Sequence, residues 1–180
     1  MAYEGQHIGI SEQGILDDLL HLTSGSLGAV DQLLTQAAQA LRDQVCAKGR
    51  VSAAMVEQNQ TAAHGLAWLA TYAEALKQMQ QWAEKLNADS RFGEVEALIL
   101  QIAFGEYLCQ IHGGIPISQS EIIRSHDMGI SDAEAQGFVT KEVGLLIQDG
   151  NTQKARLRLV ALMQENNAGV TVGISGLDEE

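Results

Sequence analysis

Aromatic side chains are scarce in this chain, at 4% of its residues, although hydrophobic residues reach 46%. Alanine and leucine carry the apolar content, and they lose little entropy in a helix, whereas strand formers are β-branched or aromatic. The shortage therefore argues against a sheet protein. Proline occurs once, at Pro116, so long helices can run unbroken on either side of it. Cys46 and Cys109 are too few and too isolated for a disulfide scaffold or a Cys-x-x-Cys metal pair, which points to reduced thiols in a cytoplasm. Basic residues are outnumbered, 11 against 23 acidic ones, and a net charge of -12 repels a phosphate backbone and excludes a nucleic-acid footprint. The longest uncharged apolar run, around Gly65 to Ala73, falls far short of the ~20 residues that span a bilayer. The amino terminus, Met1-Ala2-Tyr3-Glu4-Gly5, has neither the positive charge nor the apolar stretch of a signal peptide. A cytoplasmic protein without nucleic-acid or membrane partners is the expectation.

The familiar catalytic signatures are missing too. There is no Gly-x-Gly-x-x-Gly, no Walker loop, no Gly-x-Ser-x-Gly elbow and no His-Glu-x-x-His.

What the chain does contain is helical periodicity. Ile15, Leu16, Leu19, Leu20 and Leu22 predict a short helix over Ser11 to Leu22, and Ser24-Gly25-Ser26 predicts a break before a longer helix from about Leu27 to Lys48. From Ala53 to about Asn87, apolar residues from Ala62 through Leu69, Leu76 and Ala83 to Leu86 recur every three or four positions, the mark of a bundle helix packed along its length. Glu94 to His112 is apolar nearly all round, as a helix in the middle of a bundle is. Gly113-Gly114-Ile115-Pro116 ends it. Two capping boxes, Ser118-x-x-Glu121 and Ser131-x-x-Glu134, predict a short helix to about Arg124 and a longer one to about Gln148. Thr152 is placed to cap a last helix through about Glu165. The expectation is an all-α bundle of about four main helices plus short ones over residues 11–165, with a flexible terminus over 1–10 and a linker over 166–180.

Candidate chemistry is thin. Glu106, Cys109 and His112 sit three apart on one helix and are of metal-ligating type, but bundle metal sites use carboxylates and Glu-x-x-His pairs from several helices, and no Glu-x-x-His occurs. His64, near Trp68, reads as a hydrogen-bonded interface histidine before it reads as a general base. Trp68, Tyr72 and Trp82 read first as packing residues and second as the rim of a cleft.

One run carries more than periodicity. Gln101 to Met128, with Gln110, Gly113 and Gly114 in a Gln-x-x-Gly-Gly helix end and Glu121, Arg124 and Asp127 following, resembles the carboxy-terminal helical domain of acyl-CoA dehydrogenases. The runs at 62–72, 91–94 and 104–108 resemble a helical extension that precedes the flavoenzyme core in one branch of that family. The likeness is closest over about Val51 to Met128, and Gly176-Leu177-Asp178-Glu179-Glu180 is similar to the start of the core's first helix. The resemblance implies a fold similar to that helical domain and a parent enzyme that uses FAD. It implies that Gln110, Gly113 and Gly114 let the backbone approach the FAD of a neighbouring subunit, since glycine removes the Cβ barrier. It implies no cofactor and no catalytic residue of this chain's own. The family's base-bearing Tyr-Glu-Gly-Thr run is replaced by Met128-Gly129-Ile130-Ser131, and the β-domain that holds the isoalloxazine ring is missing. The implied role is a packing and assembly domain whose partner is the dehydrogenase core or a second copy, in a homo-oligomer. The alternatives are a free-standing helical adaptor whose partner binds around Trp68, Tyr72 and Trp82, and a small-ligand carrier.

Overall fold

The computed structural model describes residues 9–165, so the expected linker over 166–180 and most of the expected flexible terminus lie outside the described residues. Within them the protein is all-α, as the alanine- and leucine-rich composition leads one to expect. The elements are α1 (Leu19–Val45), a hairpin of β1 (Cys46–Ala47) and β2 (Arg50–Val51), α2 (Ala53–Gln58), α3 (Gln60–Ala88) and α4 (Glu94–Gly113). A second hairpin of β3 (Ile115–Pro116) and β4 (Ile122–Ile123) follows, then a 3-10 turn (Ser125–Met128), α5 (Asp132–Phe138), α6 (Lys141–Asp149) and α7 (Gln153–Glu165).

Helix α4 sits in the middle, touching α1, α3, α6 and α7. Its apolar circumference has a simple cause. Leu100, Phe104, Leu108 and Ile111 face the main core shared with α1, α3 and α6, while Leu98 faces a smaller cluster with Ala155 and Leu162 beneath α7. A helix buried on two sides needs no wet face. The α3 stripe also emerges as read: Ala62, Leu69, Ala73, Leu76, Ala83 and Leu86 are buried against α1 and α4.

Several local expectations are corrected. The short helix over 11–22 does not form. Gly14 and Asp18 hold positive φ (85° and 53°), a left-handed conformation that ends helical propagation, and residues 9–18 fold as turns. Gly9 and Ile10, expected to fray, are tied down there: the Asp17 N–H donates to the Gly9 carbonyl at 3.0 Å, and Ile10 bridges Leu16. Nor does Ser24-Gly25-Ser26 break the chain. The Thr23 and Ser26 hydroxyls donate back to Leu19 and Thr23 carbonyls of their own helix at 2.9 and 2.7 Å, so buried polar groups are satisfied and α1 runs through. Its end at Val45 is set by a tight hairpin turn with Lys48 and Gly49 both at positive φ.

The long helix from Ala53 is broken at Asn59, whose side-chain Nδ2 donates to the Met55 carbonyl at 2.8 Å, so α2 and α3 are separate. Ser118-x-x-Glu121 opens no helix. It forms the turn of the second hairpin, with the Ile117 N–H donating to the Glu121 carbonyl at 2.9 Å, because burying Ile115 and Ile123 side by side outweighs a local cap. The second box behaves as read: the Ser131 N–H donates to Glu134 Oε2 at 2.8 Å and the Glu134 N–H to Ser131 Oγ at 3.3 Å. Its helix nonetheless stops at Phe138 and restarts under a Thr140 cap, giving α5 and α6 in place of one element. Thr152 caps α7 as expected, accepting from the Ala155 N–H at 3.1 Å.

An ion pair clips α7 to the start of α4: Arg158 Nε and Nη2 donate to the two Glu94 oxygens at 2.7 and 2.8 Å. Those hydrogen bonds hold the Glu94 carboxyl below its ordinary pKa. A lowered folded pKa means that the pair's contribution is complete above the unfolded carboxyl value of about 4.3 and is lost as pH falls through the folded value. Arg158→Leu should therefore lower the melting temperature slightly at neutral pH, with the gap to the parent closing as the solution is acidified below about pH 4. Paired melting curves at neutral and acid pH check this.

Among the described residues no helix is long and apolar enough to cross a membrane.

Candidate functional site

Polar and aromatic side chains converge where α3 crosses α4 and the corner between α6 and α7. Tyr72, buried on α3, donates its hydroxyl hydrogen to Gln110 Oε1 at 2.6 Å. Gln110 Nε2 donates to Glu106 Oε1 at 2.6 Å, and Asn151 Nδ2 donates to the other Glu106 oxygen at 2.6 Å. Glu106 and Gln110 lie one turn apart on α4, so carboxylate and amide share a face. The Tyr107 ring stands 4.6 Å from Tyr72 between centroids, and Trp68 meets Tyr72 edge-on at 6.3 Å. Burial, reinforced by Tyr107 and the Glu106 charge, pushes the Tyr72 hydroxyl above its ordinary pKa. It is a neutral donor, locked onto an amide.

The string continues to the surface. Trp68 Nε1 donates to His64 Nε2 at 3.0 Å, so Nε2 presents a lone pair and the proton of the neutral ring sits on Nδ1. That nitrogen lies 3.9 Å from Glu121 Oε1, beyond hydrogen-bond reach, and both side chains are about half exposed. His64 and Glu121 line an open groove of about 330 Å³ with Val56, Gln60, Thr61 and Ala63. His64 is hydrogen-bonded as expected, but to a residue of its own helix and in an exposed position, so it is not a helix-interface histidine. A second groove, about 490 Å³, runs between α4 and α7 along Ile99, Ile102, Tyr107, Asn151 and Leu159.

This arrangement is suited to holding helices together. The hydrogen bonds of Glu106 and Gln110 tie α3, α4 and the α6–α7 corner to one another, while Glu106 itself stands exposed at the second groove.

The three residues singled out for flavin contact share the end of α4, and two of them have local work. The Gln110 side chain links Tyr72 to Glu106. Gly114, at φ 132° in a region side chains rarely adopt, accepts the close approach of Ile122, whose Cγ2 would lie 2.5 Å from an added Cβ. Gly113 has open space around it. The turn is shaped by its own hairpin.

Glu106, Cys109 and His112 do not assemble a centre: among the described residues no group of three such side chains could hold a metal ion. Trp82 packs against the core about 20 Å along α3 from Trp68. Gln101 and Asn151 went unremarked in the sequence. Gln101 at least carries a signal there, an amide set among Leu98, Leu100, Ile102 and Phe104 of an otherwise apolar helix.

No family model matches the chain. Over 168 residues, 93% of its length, it is 54% identical to (2S)-methylsuccinyl-CoA dehydrogenase of Cereibacter sphaeroides. The chain is homologous to part of that enzyme. Methylsuccinyl-CoA dehydrogenase is an acyl-CoA dehydrogenase, as the resemblance in the helical run leads one to expect, and the chain spans 30% of its length. At 54% identity this helical fold is also that of the matched part of methylsuccinyl-CoA dehydrogenase.

Proposed function

We propose that this chain acts as a non-catalytic helical assembly domain of an FAD-dependent acyl-CoA dehydrogenase that oxidises methylsuccinyl-CoA or a close analogue. The observation that carries this reading is the pairing of near-complete coverage of this chain with coverage of less than a third of the relative. Such a match supports a part of a longer enzyme. The site agrees with a packing role, since its hydrogen bonds join α3, α4 and the α6–α7 corner. The parent reaction removes an α-proton and passes a β-hydride to FAD, and no residue here is assigned to either step. In this reading any contact of Gln110, Gly113 and Gly114 with FAD would be made only in the assembled enzyme, across to a neighbouring subunit. The partner is the dehydrogenase core, within a homo-oligomer in the cytoplasm.

The test is a chimaera in which this chain replaces the matched segment of the Cereibacter dehydrogenase. It should retain flavin and dehydrogenate methylsuccinyl-CoA at a rate within about tenfold of the parent, because a packing domain conserves surfaces and leaves the reacting groups elsewhere. Turnover by the 180-residue chain alone would sink the reading.

A further inference from the structure

Helix α7 carries a face that the bundle does not use. Its inner side rests on α4 through Ala155, Leu162 and Leu159. Its outer side shows Leu157, Val160 and Met163, exposed by 62%, 50% and 40%; they are half of the six large hydrophobic residues that stand exposed among the described residues. Steps of about 100° per residue put these three within roughly a third of the helix circumference, with Arg156 among them. A surface helix ordinarily presents polar residues to water, so an apolar stripe opposite an already buried one marks a second contact. The stripe is continuous with the groove between α4 and α7, which Arg156 also lines beside Ile99 and Ile102.

We infer that this face is the docking surface for the remainder of the dehydrogenase. The inference rests on the assembly reading given under Proposed function. The length of the relative argues for this occupant: 70% of methylsuccinyl-CoA dehydrogenase lies outside the part this chain spans. α7 is also the last described helix, so whatever follows it in one polypeptide is tethered beside this face at high effective concentration. Arg156, a cation inside an apolar stripe, sets the chemistry of the contact. The occupant offers an apolar ridge to Leu157, Val160 and Met163 and a carboxylate or carbonyl to the guanidinium.

Methionine oxidation read by mass spectrometry tests this, using the 180-residue chain and the chimaera. Met163 should react about tenfold more slowly in the chimaera, its 40% exposure falling towards that of buried Met128, which serves as the internal control for folding. The Leu157→Glu/Val160→Glu double variant, both positions being exposed, should leave the melt of the 180-residue chain unchanged while restoring fast Met163 oxidation in the chimaera. A chimaera that holds flavin and turns over but oxidises Met163 as fast as the isolated chain overturns the docking face and leaves the assembly reading standing. A chimaera without flavin or turnover overturns the assembly reading, and this inference with it. Sedimentation showing that the isolated chain dimerises, and that the double variant does not, would assign the face to a second copy and overturn the proposal.

Discussion

Gln101→Leu is expected to destabilise the protein by about 3–6 kcal/mol, a large loss for one substitution, although leucine is nearly the same size and α4 is otherwise apolar. Gln101 is fully buried. Its Oε1 accepts from the Leu16 N–H at 2.7 Å, and its Nε2 donates to the Gly14 and Gly150 carbonyls at 3.0 and 3.1 Å. One amide thus stitches the turns before α1, the centre of α4 and the corner into α7. Leucine would strand all three backbone groups away from water, and each buried orphan costs about 1–3 kcal/mol. The hydrophobic gain of the substitution is real, but it cannot repair groups that have no other partner. For a domain of this size the melting temperature should fall by about 10 °C or more, read by circular dichroism. A shift of less than about 3 °C would mean that the three groups find other partners and that the amide does not join these segments.

The second large effect reverses a sign. In a solvent-exposed helix, Gly→Ala stabilises by about 1 kcal/mol. At Gly105, within α4, an added Cβ would lie 2.6 Å from the Asn151 nitrogen, 2.9 Å from the Leu146 oxygen and 3.0 Å from the Gly150 carbonyl carbon. All of these are backbone atoms, so no side chain can swing aside, and α4 must separate from the α6–α7 corner. Gly105→Ala should therefore cost about 3 kcal/mol, the upper end of overpacking, even though the helix itself prefers alanine. Gly28 supplies the control: it is exposed in α1 with nothing within 4 Å of a would-be Cβ, so Gly28→Ala should raise the melting temperature by about 2–4 °C. Urea denaturation of both variants separates the two cases. If Gly105→Ala raised the midpoint as Gly28→Ala should, the close packing at Gly105 would be wrong.

These two positions also mark where the sequence stops being readable. The stripe from Ala62 to Leu86 and the all-round apolarity of α4 follow from side-chain burial at the period of a helix, and both elements stand where the pattern puts them. The Ser131 and Ser118 boxes carry the same local signature, yet only the first caps a helix. The difference is tertiary: Gly114 turns the chain back at positive φ, and Ile115 and Ile123 are buried against the core. Ser24-Gly25-Ser26 misleads for the complementary reason, because hydroxyl groups that read as helix breakers satisfy themselves on their own helix. Gly105 looks like any other helical glycine until the neighbouring backbone is known. At the candidate site, Tyr72, Glu106 and Gln110 are visible as residues, but their joining depends on the crossing of α3 with α4, which no local pattern encodes. The flavin expectation at Gln110, Gly113 and Gly114 came from the family resemblance alone.

The central claim is that these helices bury and hold one another while the machinery for moving electrons lies in other residues of the enzyme. The visible absorption spectrum of the purified 180-residue chain, taken beside that of the chimaera, tests it most directly. The expected result is a flavin band in the chimaera and none in the chain. A stoichiometric flavin band in the isolated chain would contradict it.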